Sequence, residues 1–139
     1  MQRKVRTQIK TNNMKFLIAL ALSALFSFDP AHQQQQAPDD YQIVNNKVEG
    51  GVRTIVALPS SMVCSKRMII KVDEKTKKIM SLEVAGGCSG NLKALSKLLK
   101  GMPVKEVVAK LDGNECGNMG TSCMDQLCRI LKACYPEIK

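Results

Sequence analysis

The sequence predicts an α+β domain, in which a three-stranded antiparallel sheet is followed by about three helices packed on one face. Short β-rich runs come first, at residues 52–58, 68–72 and 78–84. After a glycine run, apolar residues recur at helical spacing as far as the C-terminal region. Because all the strands precede all the helices, the helices are expected to cover one face of the sheet.

Each strand has its own signal. Residues 52–58 (VRTIVAL) and 68–72 (MIIKV) are rich in β-branched residues, and residues 78–84 (KIMSLEV) alternate apolar with polar side chains. The polar segment 73–77 (DEKTK) has the length of a hairpin turn.

The helices follow the segment GGCSGN at residues 86–91. Residues 91–100 form the first, and Gly101 ends it. Pro103 suits the start of the second, and Thr121 or Ser122 can cap the third. The apolar positions of the three helices are Leu92, Leu95, Leu98 and Leu99; Val104, Val107, Val108 and Leu111; and Leu127, Ile130, Leu131 and Cys134.

Residues 1–28 read as a basic leader with a signal-like apolar segment. They contain five basic side chains and no acid, and therefore account for +5 of the net charge of +9. Residues 16–28 carry no charge, which is too short to span a bilayer but suits a signal peptide, whose start is Met1 or Met14. The alternative is a buried helix of the domain. The segment 14–28 indicates export or membrane association.

Residues 29–47 are predicted to be a Gln/Pro-rich linker, and residues 48–139 the folded domain. The stretch AHQQQQAPDD at residues 31–40 is too poor in apolar residues to fold by itself. It contains His32, the only histidine, so catalysis by histidine and a Cys/His metal site are not expected.

The folded part gives no clear nucleic-acid site. Residues 29–139 carry a net charge of only +4, and the chain has no Trp, three Phe and two Tyr. Lysines without interleaved aromatic residues favour a solvated surface over a nucleic-acid interface.

Four cysteines are the candidate metal ligands: Cys64, Cys88, Cys116 and Cys123. Cys88 lies in a glycine-rich strand-to-helix turn and Cys123 in the first turn of a helix, where backbone N–H groups favour the thiolate. Cys64 precedes the second predicted strand and Cys88 follows the third. If these strands are antiparallel, both cysteines lie at the same end of the sheet. Four sulfurs near one sheet end predict a zinc or iron-sulfur site. A disulfide pair or simple packing remains the alternative, since no CxxC pair is present.

Two other features have simpler explanations. Cys128 and Cys134 lie further along the last helix and are expected to pack in the core. The glycines of GGCSGN could cradle a phosphate, but no Lys-Ser/Thr pair follows them as in a P-loop.

Residues 86–127 strongly resemble the TSCPD-domain family, whose name-giving motif reads Thr121-Ser122-Cys123-Met124-Asp125 here, with Cys64-Ser65 as an upstream element. Met124 replaces the proline of the motif, a change expected to affect stability more than function. The resemblance implies a relation to the C-terminal domain of adenosylcobalamin-dependent ribonucleotide reductases. It therefore implies an accessory domain with a reductase or an iron-sulfur or redox protein as partner.

A weaker resemblance concerns iron-sulfur scaffold proteins of the NifU type, which hold a cluster through three cysteines at similar places. Lys66 replaces their aspartate and Ser122 their histidine, so stable binding of zinc or a cluster is favoured over cluster transfer. Two alternatives stay open: a ribonucleoside-diphosphate reductase component with redox-active cysteines, and an exported domain held by disulfides. The signal-like segment favours an oxidising compartment, whereas thiolate chemistry favours a reducing cytoplasm.

Overall fold

The structure, a computed structural model, describes residues 40–138. These residues form four strands, β1 (Gln42–Glu49), β2 (Val52–Leu58), β3 (Ser65–Asp73) and β4 (Lys78–Gly86), and then three helices, α1 (Ser89–Leu99), α2 (Val104–Leu111) and α3 (Cys123–Cys134). The α+β class and the strands-before-helices order are confirmed. The predicted leader lies outside the described residues, as does the linker up to residue 39.

The sheet is antiparallel with the order β1-β2-β3-β4, so β1 and β4 are its edges. The prediction of three strands is wrong, because β1 occupies residues assigned to the linker. A two-residue turn, Gly50-Gly51, joins β1 to β2, and its φ values of 57° and 78° are positive. A type I′ hairpin turn requires positive φ at both positions, and glycine adopts it without steric cost.

One face of the sheet carries the core. On β2 and β3 alternate residues are fully buried, namely Ile55, Ala57, Met68, Ile70 and Val72. They pack with buried residues of all three helices, including Leu92, Val104, Val107, Leu127, Ile130 and Leu131. Period-two burial on the strands and helical periodicity opposite it show that the helices cover this face only.

The helices begin and end close to the predicted positions. Ser122 caps α3, since its hydroxyl oxygen accepts the backbone N–H of Asp125 at 3.1 Å. Leu92 and Leu99 of α1 are buried as predicted, but Leu98 is 70% exposed and does not belong to the buried stripe.

A polar cluster ties the sheet to the end of α3. Glu74, in the turn between β3 and β4, accepts hydrogen bonds from Arg53 Nε at 2.5 Å and from the hydroxyl of Tyr135 at 2.9 Å, and it also pairs with Lys77. The cations of Arg53 and Lys77 lie 4.9 and 5.0 Å from the centroid of the Tyr135 ring. The hydrogen bond from Arg53 is the largest cause that lowers the pKa of Glu74 from 4.5 to about 2.

Candidate functional site

The four candidate cysteines lie at the ends of structural elements or in the loops between them. Cys64 immediately precedes β3, Cys88 is the N-cap residue of α1, Cys116 is in the loop between α2 and α3, and Cys123 is the first residue of α3. In the β3–β4 ladder Ser65 pairs with Gly86, which places Cys64 at the sheet end where the chain leaves for Cys88. This part of the prediction is confirmed.

Two of the sulfurs are in contact. The Sγ atoms of Cys64 and Cys123 are 3.6 Å apart, although 59 positions separate the residues in sequence. Both thiols are free, Cys64 being exposed and Cys123 partly exposed. The structure thus joins the loop before β3 to the start of α3 through this pair.

Gly87, the residue before Cys88, packs closely against Cys64. A Cβ atom at Gly87 would lie 2.7 Å from Leu92 Cδ1 and 3.2 Å from Cys64 Sγ, so no side chain fits there. Its φ of 76° also disfavours any side chain. Gly86 and Gly87 are therefore explained by close packing of the chain beside Cys64.

Cys116 is connected through its backbone. Its N–H donates to the carbonyl oxygen of Thr121 at 3.0 Å, two residues before Cys123, and its side chain is exposed. Within residues 40–138, however, no three His, Cys, Asp or Glu side chains lie together as a metal-binding group. The structure therefore brings together the sulfurs of Cys64 and Cys123, but it does not gather all four cysteines into one cluster.

Asp125 holds the Cys116 loop to α3. One carboxylate oxygen accepts the N–H of Gly113 at 2.9 Å, and the other accepts the Thr121 hydroxyl at 2.7 Å and Arg129 Nε at 2.9 Å. Burial raises the pKa of Asp125, but the donors from Thr121 and Gly113 and the charge of Arg129 outweigh it and lower the pKa below its usual value. The carboxylate is thus kept ionised inside the fold.

Gln126 holds the Cys64 loop to the same helix. Its side-chain oxygen accepts the N–H of Ser60 at 3.0 Å, and its amide donates to the Thr121 hydroxyl at 3.1 Å. Thr121, Asp125 and Gln126 are all buried. Together they fix both cysteine-bearing loops relative to Cys123.

The sequence predictions named Asp125 only as a motif residue and did not include Gln126. The signal that could have revealed both residues is their position in the first turn of an amphipathic helix, directly before its apolar stripe. Polar side chains buried at such a place need partners from neighbouring loops.

Cys128 and Cys134 are buried in the core, as predicted. Burial raises the pKa of Cys128 to about 12 and also raises the pKa of Cys134. Burial thus disfavours the thiolate form that a metal would need at these two positions.

The sulfur pair has the spacing that a tetrahedral metal site needs. Two thiolates bound to one zinc at about 2.3 Å in tetrahedral geometry are about 3.8 Å apart, close to the 3.6 Å separation of Cys64 and Cys123. The hydroxyl oxygen of Ser65, next to Cys64, is buried and has no hydrogen-bond partner among the described residues.

Comparison with known protein families identifies the family of this chain. The TSCPD domain model matches residues 40–135, which is most of the chain and all seven structural elements up to the end of α3. The chain belongs to the TSCPD-domain family. No curated protein and no solved structure matches it. The resemblance of this TSCPD domain to NifU-type scaffolds accordingly stays a prediction.

The match begins before the predicted domain boundary at residue 48 and takes in β1. Within the described part of the TSCPD protein, no helix combines the length and hydropathy needed to cross a membrane. The signal-like segment 14–28 lies outside the described residues.

Proposed function

We propose that this TSCPD domain binds a thiophilic metal centre, zinc or an iron-sulfur cluster, through Cys64, Cys88, Cys116 and Cys123. The observation that carries the proposal is the 3.6 Å contact between the sulfurs of Cys64 and Cys123. Tetrahedral sulfur coordination is typical of zinc and of iron-sulfur centres.

Cys88 and Cys116 are the proposed third and fourth ligands. Cys88 follows Gly87, which lies against Cys64, and the backbone N–H of Cys116 donates to the carbonyl oxygen of Thr121, two residues before Cys123. Both side chains are exposed, so rotation about their χ1 bonds meets little packing resistance. Binding of the metal would draw these two side chains in and link the loops.

The proposed role is that of an accessory domain for a ribonucleotide reductase or for an iron-sulfur or redox protein. The described residues carry an open groove of about 370 Å³ between β4 and α1. Pockets for single small ligands are about 300 to 1,000 Å³, and a nucleotide together with cobalamin needs more. Reduction of a ribonucleotide would therefore take place on a partner.

The proposal is tested with the full chain, purified anaerobically, by elemental analysis and absorption spectroscopy. We expect about one zinc or one cluster per chain, and chelation should lower the free energy of unfolding by about 3 kcal/mol, since metal-binding energy is folding energy. Serine at Cys64, Cys88 or Cys123 should abolish metal binding. The control Cys134→Ala removes a buried thiol and should retain the metal. Unchanged metal content in the Cys64 and Cys123 variants contradicts the proposal.

The same contact favours a second function, in which Cys64 and Cys123 form a redox-active dithiol. The two thiols would give two electrons and two protons to a disulfide of the partner, which becomes two thiols, while a Cys64–Cys123 disulfide forms. Thiol titration separates the two functions. An oxidised pair loses two titratable thiols that only a reductant restores, whereas metal-bound thiols return on chelation. An exported domain held by disulfides would show further thiols lost before any oxidant is added.

A further inference from the structure

The outer edge of β4 is only partly used by the chain itself. At its start, the N–H of Ile79 donates to the carbonyl of Met102 at 2.9 Å, and the N–H of Gly101 donates to the carbonyl of Ile79 at 2.7 Å. From Met80 to the end of the strand, no backbone group of the described residues pairs with this edge. Residues 101–102 thus pair with the start of this edge, and the backbone groups of the remainder of β4 are unpaired on that side among the described residues.

A groove of about 370 Å³ runs between this open edge and α1. Its sheet side is formed by β4 with Leu82 and Val84, which point towards the helices, and its helix side by Leu92, Lys93 and Ser96. Most of the groove lining is apolar. An extended segment placed in the groove could pair with the backbone of β4 and bury alternate side chains against this apolar lining.

We infer that this groove docks an extended peptide segment of a partner protein, which adds a fifth strand beside β4. Strand addition takes its affinity from backbone hydrogen bonds and its specificity from alternate side chains. The peptide places apolar side chains in the groove, over Leu82 and Leu92.

Glu83 sets the charge of the partner segment. It borders the groove and pairs with Ile69 in the ladder, and its side chain is exposed and forms no salt bridge with the described residues. The cross-strand neighbour of an unpaired glutamate on an edge is best a Lys or Arg. The partner segment therefore alternates apolar residues with polar ones and carries a basic residue opposite Glu83.

A second copy of this chain is a poor occupant. Two β4 edges related by a two-fold axis pair antiparallel, and the midpoint of the open stretch 80–86 is Glu83. Such pairing sets two Glu83 carboxylates side by side, and like charges directly opposite each other are destabilising.

The groove ends at the candidate metal site. Gly87 closes it, and a Cβ atom there would be 3.2 Å from Cys64 Sγ. One end of a docked peptide would consequently lie beside the sulfurs of Cys64 and Cys123. A partner that exchanges electrons or metal with these sulfurs would have to approach the same place. The docking itself requires no metal and goes beyond the proposed function.

The test uses the full chain to select peptides from a random twelve-residue library, and then measures the binding of the enriched peptides by fluorescence anisotropy. We expect alternating apolar residues and a Lys or Arg. Ser96→Trp, which fills the groove, should weaken binding about tenfold or more, and Glu83→Lys about fivefold at low salt. The controls are Ala94→Trp, exposed on the same helix, and Glu49→Lys on the other edge strand; both should bind as the unaltered chain does.

A second measurement leaves the protein unchanged. N-methylation of alternate backbone amides in the peptide removes the donors that pair with β4 and should abolish binding, whereas chelation of metal should not. Absence of enriched peptides, or equal binding by the Ser96→Trp variant, overturns the inference. Self-association in sedimentation that Ser96→Trp dissolves would assign the edge to a second copy and overturn the choice of partner.

Discussion

At the scale of single residues, the motif that names the family does two separate jobs in this chain. Cys123 presents a sulfur at the start of α3, 3.6 Å from that of Cys64. Thr121 and Asp125 do not reach the sulfurs, but bind each other and the loop that carries Cys116. The geometry of the candidate site therefore depends on buried polar residues that cannot themselves be ligands at their present positions.

Asp125→Asn tests this positioning role. The substitution removes the negative charge that Arg129 and Thr121 stabilise, so the free energy of unfolding at pH 7 should fall by about 2 kcal/mol. Because the pKa of Asp125 is lowered in the fold, its contribution is present above the unfolded pKa of about 3.9 and is lost as pH falls through the folded value. Urea denaturation at pH 7 and near pH 3 measures both effects, and the difference between variant and parent should shrink at the lower pH.

The control for this prediction is Asp112→Asn. Asp112 pairs with Lys132 at 2.6 Å on the surface, and an exposed pair contributes only about 0.5 kcal/mol. Equal losses in the two variants, or a loss for Asp125→Asn that does not change with pH, would show that the buried carboxylate has no special role.

At the scale of secondary-structure elements, the sequence predicts those elements whose apolar residues face the core. β2, β3, β4 and all three helices were found because their burial follows period two or helical periodicity. β1 was missed because its apolar residues Val44 and Val48 face solvent, and because a bulge between Ile43 and Asn45 breaks the alternation. Its one local signal was the Gly50-Gly51 turn, which is typical of a hairpin.

Only part of the candidate site can likewise be predicted from the sequence. The meeting of Cys64 with the chain before Cys88 follows from antiparallel pairing of two recognisable strands, and was predicted. The partners of Gln126 and Asp125 depend on how two irregular loops pack against α3, and loop conformation has no periodic signal in sequence.

Glu74→Gln tests the cluster that joins β2, the β3–β4 turn and the residue after α3. Glutamine cannot form the ion pairs with Arg53 and Lys77, so the free energy of unfolding at pH 7 should fall by about 2 kcal/mol. The folded pKa of Glu74 is lowered from 4.5 to about 2, so its stabilisation is present above pH 4.5 and is lost as pH falls towards 2. Thermal melts from pH 7 to pH 2 should show the parent converging on the variant.

Glu106→Gln is the matched control, since Glu106 forms an exposed pair with Lys110 one helical turn away. It should change stability by about 0.5 kcal/mol or less. A parent whose advantage over Glu74→Gln persists at pH 2 would contradict the assignment of the low pKa to this cluster.

At the scale of the whole molecule, the described fold begins earlier than composition indicates. Tyr41 and Ile43 pack against the core, and β1 covers the edge of β2, whose Ile55 and Ala57 are fully buried. The family match likewise begins at residue 40. A domain of about 100 residues buries only a modest core and is marginally stable, so the loss of one strand is expected to lower its stability measurably.

Truncation tests where this unit begins. A fragment of residues 40–139 should melt cooperatively within a few degrees of the full chain, because it keeps every element that builds the described core. A fragment of residues 50–139 lacks β1, exposes the backbone edge of β2 and should melt lower by about 10 °C or more, since about 1 kcal/mol shifts the melting temperature of a domain of this size by about 4 to 8 °C. Circular dichroism melts of the three proteins measure this. Equal melting of the two fragments would mean that β1 adds nothing to the fold, whereas a large loss already in residues 40–139 would mean that residues 1–39 stabilise the domain.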